Sequence, residues 1–429
     1  KSLEEHSIGL IDIIIVNLYP FSTTAKKKDV SFDEVIEMID IGGPSMIRAG
    51  SKNFKDVVVI VDPSDYPWLI EHLGKDDIAE GDRLRLAAKA FNHTASYDSV
   101  IANWLTRRTE KGMPEQIHVT LDRLQSMRYG ENPHQQAALY LTSGLDQHED
   151  LRFGQLGGKE LSYNNIVDMG SAYELVREFR QPACIIVKHT NPCGAAVAES
   201  IPGAYERAFK TDPVSSYGGI CGFNAEVDEA TARLIGDTFY EVIVAPSFSR
   251  PALEILSKKK NLRLIRVDHG DSDAPADGQF EMHDTAFGVL VQTRDTISDE
   301  LRGGRVVTKR APTEGEMRDM DFALKVCKHT KSNTIIVARS LQLVGVGAGQ
   351  MSRVDSAKIA IMKSGLGTEG AVGASDAFFP FADGLKVLMD AGITAVVQPG
   401  GSIRDQEVIH AADEAGIAMV FTGVRHFKH

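Results

Sequence analysis

The chain has 429 residues, 43% of them hydrophobic, with 47 Lys plus Arg against 59 Asp plus Glu and a formal net charge of −12. This is a globular composition with enough apolar residues for two or three cores, and its negative balance repels nucleic-acid phosphates and anionic lipid as general partners. The longest apolar runs, such as Ile13–Val16 and Val57–Val61, are strand-sized and predict no membrane-spanning helix; four cysteines with no Cys-x-x-Cys pair fit a reducing cytoplasm.

The chain opens at Lys1 with no charged-then-apolar leader, and a strand-like run follows at once, so it is expected to begin inside a domain. Ile11–Val16 is β-branched and precedes Asn17-Leu18-Tyr19-Pro20-Phe21, the pattern of a buried parallel strand feeding a loop where α/β folds place chemistry. Ser31 and Glu34 have capping-box spacing, which predicts a helix over Phe32–Ile39 that stops at Asp40-Ile41-Gly42-Gly43-Pro44. Val57–Val61 predicts a second strand, followed by helical sequence and the amphipathic stretch Asp82–Trp104. This alternation is α/β. Residues 106–120 are charged, contain Gly112 and Pro114 and keep no period, so a first domain, 1–110, is separated there from a second, 111–429. Residues 268–285, rich in Asp, Gly and His, read as an exposed excursion.

The second domain reads as two related halves, about 120–290 and 300–429, because three features recur in order. Lys188-His189-Thr190 returns 140 residues later as Lys328-His329-Thr330. Asp212, before an aromatic loop and Gly, returns as Asp376 after 164, and the strand ending in Pro246 returns as the one ending in Pro399 after 153.

Lys188-His189 follows a strand and precedes the turn Asn191-Pro192-Cys193-Gly194, which suits acid–base work: imidazole takes a proton near neutrality and an adjacent ammonium stabilises an oxyanion. Two solvated loop residues are the alternative, and the second copy at Lys328-His329 favours function. Met127-Arg128-Tyr129-Gly130-Glu131-Asn132-Pro133-His134-Gln135 is either a surface turn or a grip on an anionic, planar ligand. Gly345-Val346-Gly347-Ala348-Gly349 lacks the third glycine of a dinucleotide fingerprint and reads as a backbone-approach loop, with Arg353 reaching an anion. Pro399-Gly400-Gly401-Ser402 either offers backbone amides to a ligand or is only a tight turn. The His-x-Glu and Cys-x-x-Cys pairs of catalytic zinc sites in deaminases are missing, so no catalytic metal is expected.

Together these motifs resemble one family. Asn17-Leu18-Tyr19-Pro20-Phe21, Ile39-Asp40-Ile41-Gly42-Gly43, Arg128 to Gln135, Lys188 to Gly194, Gly347 to Arg353 and Ser375-Asp376-Ala377-Phe378-Phe379-Pro380-Phe381 occur in the order seen in the bifunctional purine biosynthesis proteins that join AICAR transformylase to IMP cyclohydrolase. The resemblance runs from about Ile11 to His429. It implies a partial methylglyoxal-synthase-like α/β domain followed by a duplicated cytidine-deaminase-like α/β transformylase domain without zinc. The implied activity is formyl transfer from 10-formyltetrahydrofolate to the 5-amino group of AICAR, then closure of FAICAR to IMP with loss of water, in a cytoplasmic homodimer that binds neither nucleic acid nor membrane.

Carried over by position, the resemblance implies His189 as the base for the weak aromatic amine, Lys188 beside it, Asn333 orienting the formyl group, and His429 in the transformylase site. Arg128, Tyr129, Gly218, Glu241, Arg353, Phe378 and Arg425 fall at AICAR positions, and Val354, Asp383, Ser402 and Ile403 on the folate side. For the cyclohydrolase, Tyr19, Asp40 and Lys52 match catalytic positions and Asn17 a nucleotide-binding one. The family's glycine-rich phosphate loops lie upstream of Lys1, so formyl transfer alone is expected of this chain. Two other readings stay open: a silent nucleotide-binding or dimerisation module, which would bind AICAR without turnover, and a zinc-free deaminase, which would release ammonia without folate.

Overall fold

A computed structural model describes residues 5–73, 78–142, 152–268 and 280–429. The chain forms two compact units, one of Lys1–Gln125 with Leu139–His148, the other of Ser126–Ala138 with Glu149–His429.

In the smaller unit, β1 (Ile13–Ile15) is followed by α1 (Phe21–Ala25), α2 (Phe32–Ile36), α3 (Gly42–Lys52), β2 (Val58–Ile60), α4 (Tyr66–Leu73) and α5 (Glu80–Thr109). The Ser31–Glu34 capping box forms in both directions, and α2 ends at Ile36, three residues before the expected stop. Strands β1 and β2 pair in parallel, and β2 is fully buried. Val59 packs with Ile47 and Ala90, while Val58 and Ile60 face Leu69 and Leu86, so helices cover both faces of the strand. Gly50 makes that approach possible: a Cβ there would stand 2.7 Å from Ile14 and 2.8 Å from Val59. A two-stranded ribbon, β3 (Leu121–Met127) and β4 (Ala137–Thr142), follows.

The larger unit runs β5 (Arg152–Gly157), α6 (Tyr163–Val176), β6 (Ala183–Lys188), β7 (Asn191–Val197), α7 (Ile201–Thr211), α8 (Pro213–Ser216), β8 (Ile220–Phe223), α9 (Glu229–Ile235), β9 (Val242–Ala245), α10 (Arg250–Leu256) and β10 (Arg263–Asp268). After the hairpin β11 (Phe280–Thr285) and β12 (Gly288–Thr293) come β13 (Arg305–Val306), α11 (Glu314–Lys328), β14 (Ile335–Arg339), β15 (Gln342–Gly347), α12 (Arg353–Met362), β16 (Val372–Ser375), α13 (Ala382–Asp390), β17 (Ala395–Gln398), α14 (Asp405–Glu414) and β18 (Ala418–Phe421). The expected excursion 268–285 is thus a paired strand in its last six residues, and 269–279 lie outside the described residues.

Among the described residues, twelve strands form one sheet in the order β13-β18-β17-β16-β14-β15-β7-β6-β8-β9-β10-β5. The order read outward from β7 repeats the order read outward from β15, and the two halves meet antiparallel at Ala196 and Gln342. Alternate residues of β6 serve opposite faces. Ile185 and Val187 join the core under α6 and α11, while Cys184 and Ile186 join the core under α7, α9 and α10. The equivalent face of the second half is covered by α12, α13 and α14.

The repeat has a different register from the one expected. Lys188-His189-Thr190 lies at the end of strand β6, whereas Lys328-His329-Thr330 lies at the end of helix α11, so they are not equivalent. Asp212 precedes β8, whereas Asp376 follows β16. Pro246 and Pro399 do correspond, each directly beyond its strand, β9 or β17. A constant separation of 151 residues relates the other equivalent positions: Ser162 and Thr313, both capping-box N-caps; Asp168 and Asp319; and Gly194 and Gly345.

These glycines serve packing. A Cβ at Gly194 would lie 2.3 Å from the Ala208 carbonyl oxygen, and one at Gly345 2.1 Å from that of Ala360. Gly347, where the backbone-approach reading expected a ligand, meets α12 instead, with a Cβ position 1.9 Å from Ser356 O. Forcing a methyl group into such a contact costs about 1–3 kcal/mol. Gly347→Ala is therefore expected to lower the melting temperature by several degrees, whereas Gly315→Ala, whose Cβ meets nothing within 3.8 Å, leaves it within a degree or two; differential scanning calorimetry of the two variants checks this.

Candidate active site

The antiparallel junction decides where the site forms. β6 ends, and β7, β8, β9 and β14 begin, on the same edge of the sheet where β15, β16 and β17 end. Every residue expected in the transformylase site from Lys188 to Ile403 stands at this edge.

In the second half a cavity of about 480 Å³ is lined by Asn333, Arg353, Val354, Phe378, Asp383 and Arg425, with Phe379, Phe381 and Phe427 among its aromatic walls. Arg353 is buried. Its Nη1 donates to Ser375 Oγ and to the Asp376 carboxylate, and its Nη2 donates to Asn333 Oδ1 at 2.8 Å. Asn333 Nδ2 donates to Gln350 O at 2.9 Å, so both ends of that amide are held. Arg353 thus acts first on Asn333, a part the anion-reaching reading did not contain. Ser402 and Ile403 follow Gly400-Gly401, and the free amides of Gly401 and Ser402 are taken by the Asp405 carboxylate, so this loop is a capped turn. Arg404 lies over the Phe381 ring at the cavity wall.

In the first half, His189 and Thr190 occupy the β6–β7 turn with φ of 53° and 63°. Such left-handed backbone is uncommon outside glycine and persists where its surroundings impose it. Asp168 imposes it here, accepting from His189 N at 3.2 Å and Thr190 N at 2.7 Å. Asn191 then joins the halves: its Nδ2 donates to His189 O and its Oδ1 accepts from Lys331 N, both at 3.0 Å. The exposed His189 is thereby tied to the loop that carries Asn333. Lys188 Nζ donates to Tyr217 O, beside Gly218, which sits at φ 74° with its N–H on Phe239 O. Glu241 is paired with the buried Arg263. Arg128 and Tyr129 stand together in a turn whose Glu131 carbonyl accepts from Asn164 at the start of α6. His429 is exposed at the chain end, 5.8 Å from the Phe427 ring.

The second Lys-His pair is consumed by structure. Glu178 Oε1 is 2.6 Å from Lys328 Nζ and 2.8 Å from His329 Nε2, all three side chains nearly buried. Burial disfavours the charge on Glu178, but His329 and Lys328 outweigh it and hold the carboxyl at about 2. Burial pushes the His329 imidazole down.

In the smaller unit a cavity of about 330 Å³ is lined by Asn17, Tyr19, Pro63, His93 and Tyr97. Asp40 reaches it indirectly: Tyr97 Oη accepts from Asp40 N at 2.9 Å and donates to Met38 O, while Asp40 Oδ1 accepts from Gly43 N. Asn17 Nδ2 donates to Tyr66 Oη. Lys52 is exposed at the end of α3, outside the cavity lining. His93 was missed by the sequence reading. Its Nε2 is buried with no hydrogen-bond partner among the described residues, and burial pushes its pKa down; its only signal was the four-residue spacing from Tyr97 on one face of α5.

A profile of the AICARFT/IMPCHase bienzyme family matches residues 50–363. The bifunctional purine biosynthesis protein PurH of Acetivibrio thermocellus is 49% identical across 100% of this chain and 84% of its own length. PurH of Thermoanaerobacter sp. (strain X514) is 48% identical with the same coverage. The chain belongs to the AICARFT/IMPCHase bienzyme family. A solved structure, that of ForH, is 28% identical over 26% of this chain and 58% of its own, with a TM-score of 0.21.

The bienzyme has no helix among its described residues long and apolar enough to cross a membrane. Its Glu178 cluster makes a stability prediction. A carboxyl held near 2, below its ordinary 4.5, contributes stability that is complete above pH 4.5 and lost as pH falls toward 2. Glu178→Gln is expected to cost about 3 kcal/mol at pH 7, the scale for stranding a buried charge, with the gap to the parent narrowing below pH 4; urea melts across that range measure it.

Proposed function

We propose that the sheet-edge site of the larger unit performs the formyl transfer of this bifunctional purine biosynthesis enzyme, and that the cavity of the smaller unit belongs to the ring-closing site of the full-length protein. The observation that carries the reading is the convergence of Asn333, Arg353, Val354, Phe378, Asp383 and Arg425 on one cavity, with the His189 turn tied to the same loop through Asn191.

The cavity's chemistry suits its substrates. Aromatic walls accept planar heterocycles, and the exposed Arg425 offers a charged fork to a phosphate. The AICAR amine is a weak nucleophile, and its attack on the formyl carbon of 10-formyltetrahydrofolate needs a base. His189 takes the amine proton, Lys188 stabilises the developing oxyanion, and the proton then passes to the departing folate nitrogen. Asn333, held at both ends of its amide, orients the formyl oxygen. Gly218, Glu241, Arg128, Tyr129 and His429 complete the AICAR side, and Val354, Asp383, Ser402 and Ile403 the folate side. In the smaller unit Tyr19, on the cavity wall, and Asp40, joined to it through Tyr97, supply acid–base chemistry for dehydration, with Asn17 on the nucleotide; Lys52 stands outside the cavity lining. We assign residues 1–110 to a methylglyoxal-synthase-like domain and 111–429 to two cytidine-deaminase-like halves, in a cytoplasmic homodimer that works without a catalytic metal.

His189→Ala is expected to lower kcat for tetrahydrofolate formation from AICAR and 10-formyltetrahydrofolate by about 10²–10⁴-fold, the usual worth of a positioned base, while AICAR binding by calorimetry stays within a few-fold. Undiminished turnover would remove His189 from the mechanism. Tight AICAR binding by the parent chain without any turnover would make the unit a binding module.

A further inference from the structure

Among the described residues the C-terminal tail beyond β18 pairs with no strand, yet it forms part of the cavity wall. Its residues alternate: Arg425, Phe427 and His429 are exposed, while His426 is buried at 2% exposure. Arg425 and Phe427 line the cavity, the guanidinium lying 4.4 Å from the phenyl centroid. Between them the imidazole of His426 reaches inward to two carboxylates, with Nδ1 2.6 Å from Asp295 Oδ2 and Nε2 3.0 Å from Glu300 Oε1. Its backbone N–H donates to Asp376 O at 3.0 Å, placing the tail on the residue that grips Arg353. Further along, Lys428 N donates to Ser332 Oγ and Lys428 O accepts from Ser332 N, next to Asn333.

We propose that His426 is a positioning residue of the transformylase site: clamped between Asp295 and Glu300, it pins the tail so that Arg425 and Phe427 stand in the cavity wall. A histidine with a carboxylate at each ring nitrogen donates twice, which only the imidazolium can do. Both bonds then fix the ring, and the ring fixes the backbone on either side. Burial opposes the charge, but Asp295 and Glu300 outweigh it and raise the pKa to about 9. The charged groups around the clamp are Asp295 and Glu300 themselves, Lys328 at the end of α11, which lowers the Asp295 pKa, and the Arg353–Asp376 pair. The buried Cys327 thiol faces the same groups and is pushed well up by burial, so it stays neutral. The sign is that of a raised base: the clamp is complete below pH 6.5 and lost as pH rises through 9.

The inference rests on the formyl-transfer reading of this cavity, and the test separates the two. Steady-state formyl transfer by the full chain is measured against AICAR concentration from pH 7 to 10 for the parent, His426→Gln, Asp295→Asn and His189→Ala, with thermal melts of each. The parent is expected to hold a constant AICAR KM to about pH 8.5 and to lose affinity above it. In His426→Gln the AICAR KM rises at least 10-fold at pH 7.5, kcat changes less than 3-fold, and the alkaline rise in KM disappears. Asp295→Asn, nearly isosteric and on a half-exposed side chain, moves the alkaline rise down by about one pH unit. It carries the test if His426→Gln does not fold. An unchanged KM in a folded His426→Gln, or an unmoved alkaline limb in Asp295→Asn, overturns the positioning role. Full activity of His189→Ala would instead overturn the reading of the site, whatever the tail variants do.

Discussion

The Asp376 carboxylate is fully buried, and the architecture of the larger unit's site depends on what satisfies it. An unpaired charge in that position would cost several kcal/mol. The Arg353 guanidinium pairs with it, and the Thr334 N–H donates to its second oxygen. Its backbone carbonyl receives the His426 N–H. One residue after β16 thereby holds the N-terminus of α12, the start of β14 and the C-terminal tail. Arg353 in turn spends its other terminal nitrogen on Asn333. The cavity is built around this pair, which makes Arg353 a fixture of the wall.

The duplicated sheet gives the second constraint. Because the halves join antiparallel through β7 and β15, the end of β6 and the start of β14 share an edge. A parallel join would have sent His189 and Asn333 to opposite sides. Each half contains a tight turn held open by an aspartate: Asp168 grips the N–H groups of His189 and Thr190, and Asp319 grips those of Ser340 and Leu341, all four residues at positive φ. The strained turn is therefore a property of the repeated fold. Only the first copy places a histidine on it, and only the first copy lies at the edge where the cavity forms. The second half uses its corresponding turn to receive Arg207 from α7 across the junction.

Much of this was readable in the chain before any coordinate. Capping at Ser31, the strands at Ile13 and Val58, and the long helix behind Asp82 follow from local rules whose partners are a few residues apart. The ordered motifs were enough to identify the family and its candidate residues. The failures share one cause. Lys-His-Thr recurs in sequence, but a strand end and a helix end place those side chains differently, and Glu178 turns the second pair into a buried ion cluster. The glycines of β15 looked like a ligand loop because sequence shows a missing side chain without showing what fills its place; helix α12 fills it.

By itself the sequence determined the α/β alternation, the helix starts, the family and the residue types available for formyl transfer, because each rests on short-range patterns or on ordered motifs. Tertiary structure alone decided that Asn191 bridges His189 to the Asn333 loop, that Asp168 holds the histidine turn, and that His426 anchors the tail between Asp295 and Glu300. Apart from the Asn191–His189 bond, those contacts join positions 21 to 140 residues apart, and their partners are chosen by the register of the twelve described strands. No local pattern in the chain encodes that register, since it is set by the burial of both sheet faces at once.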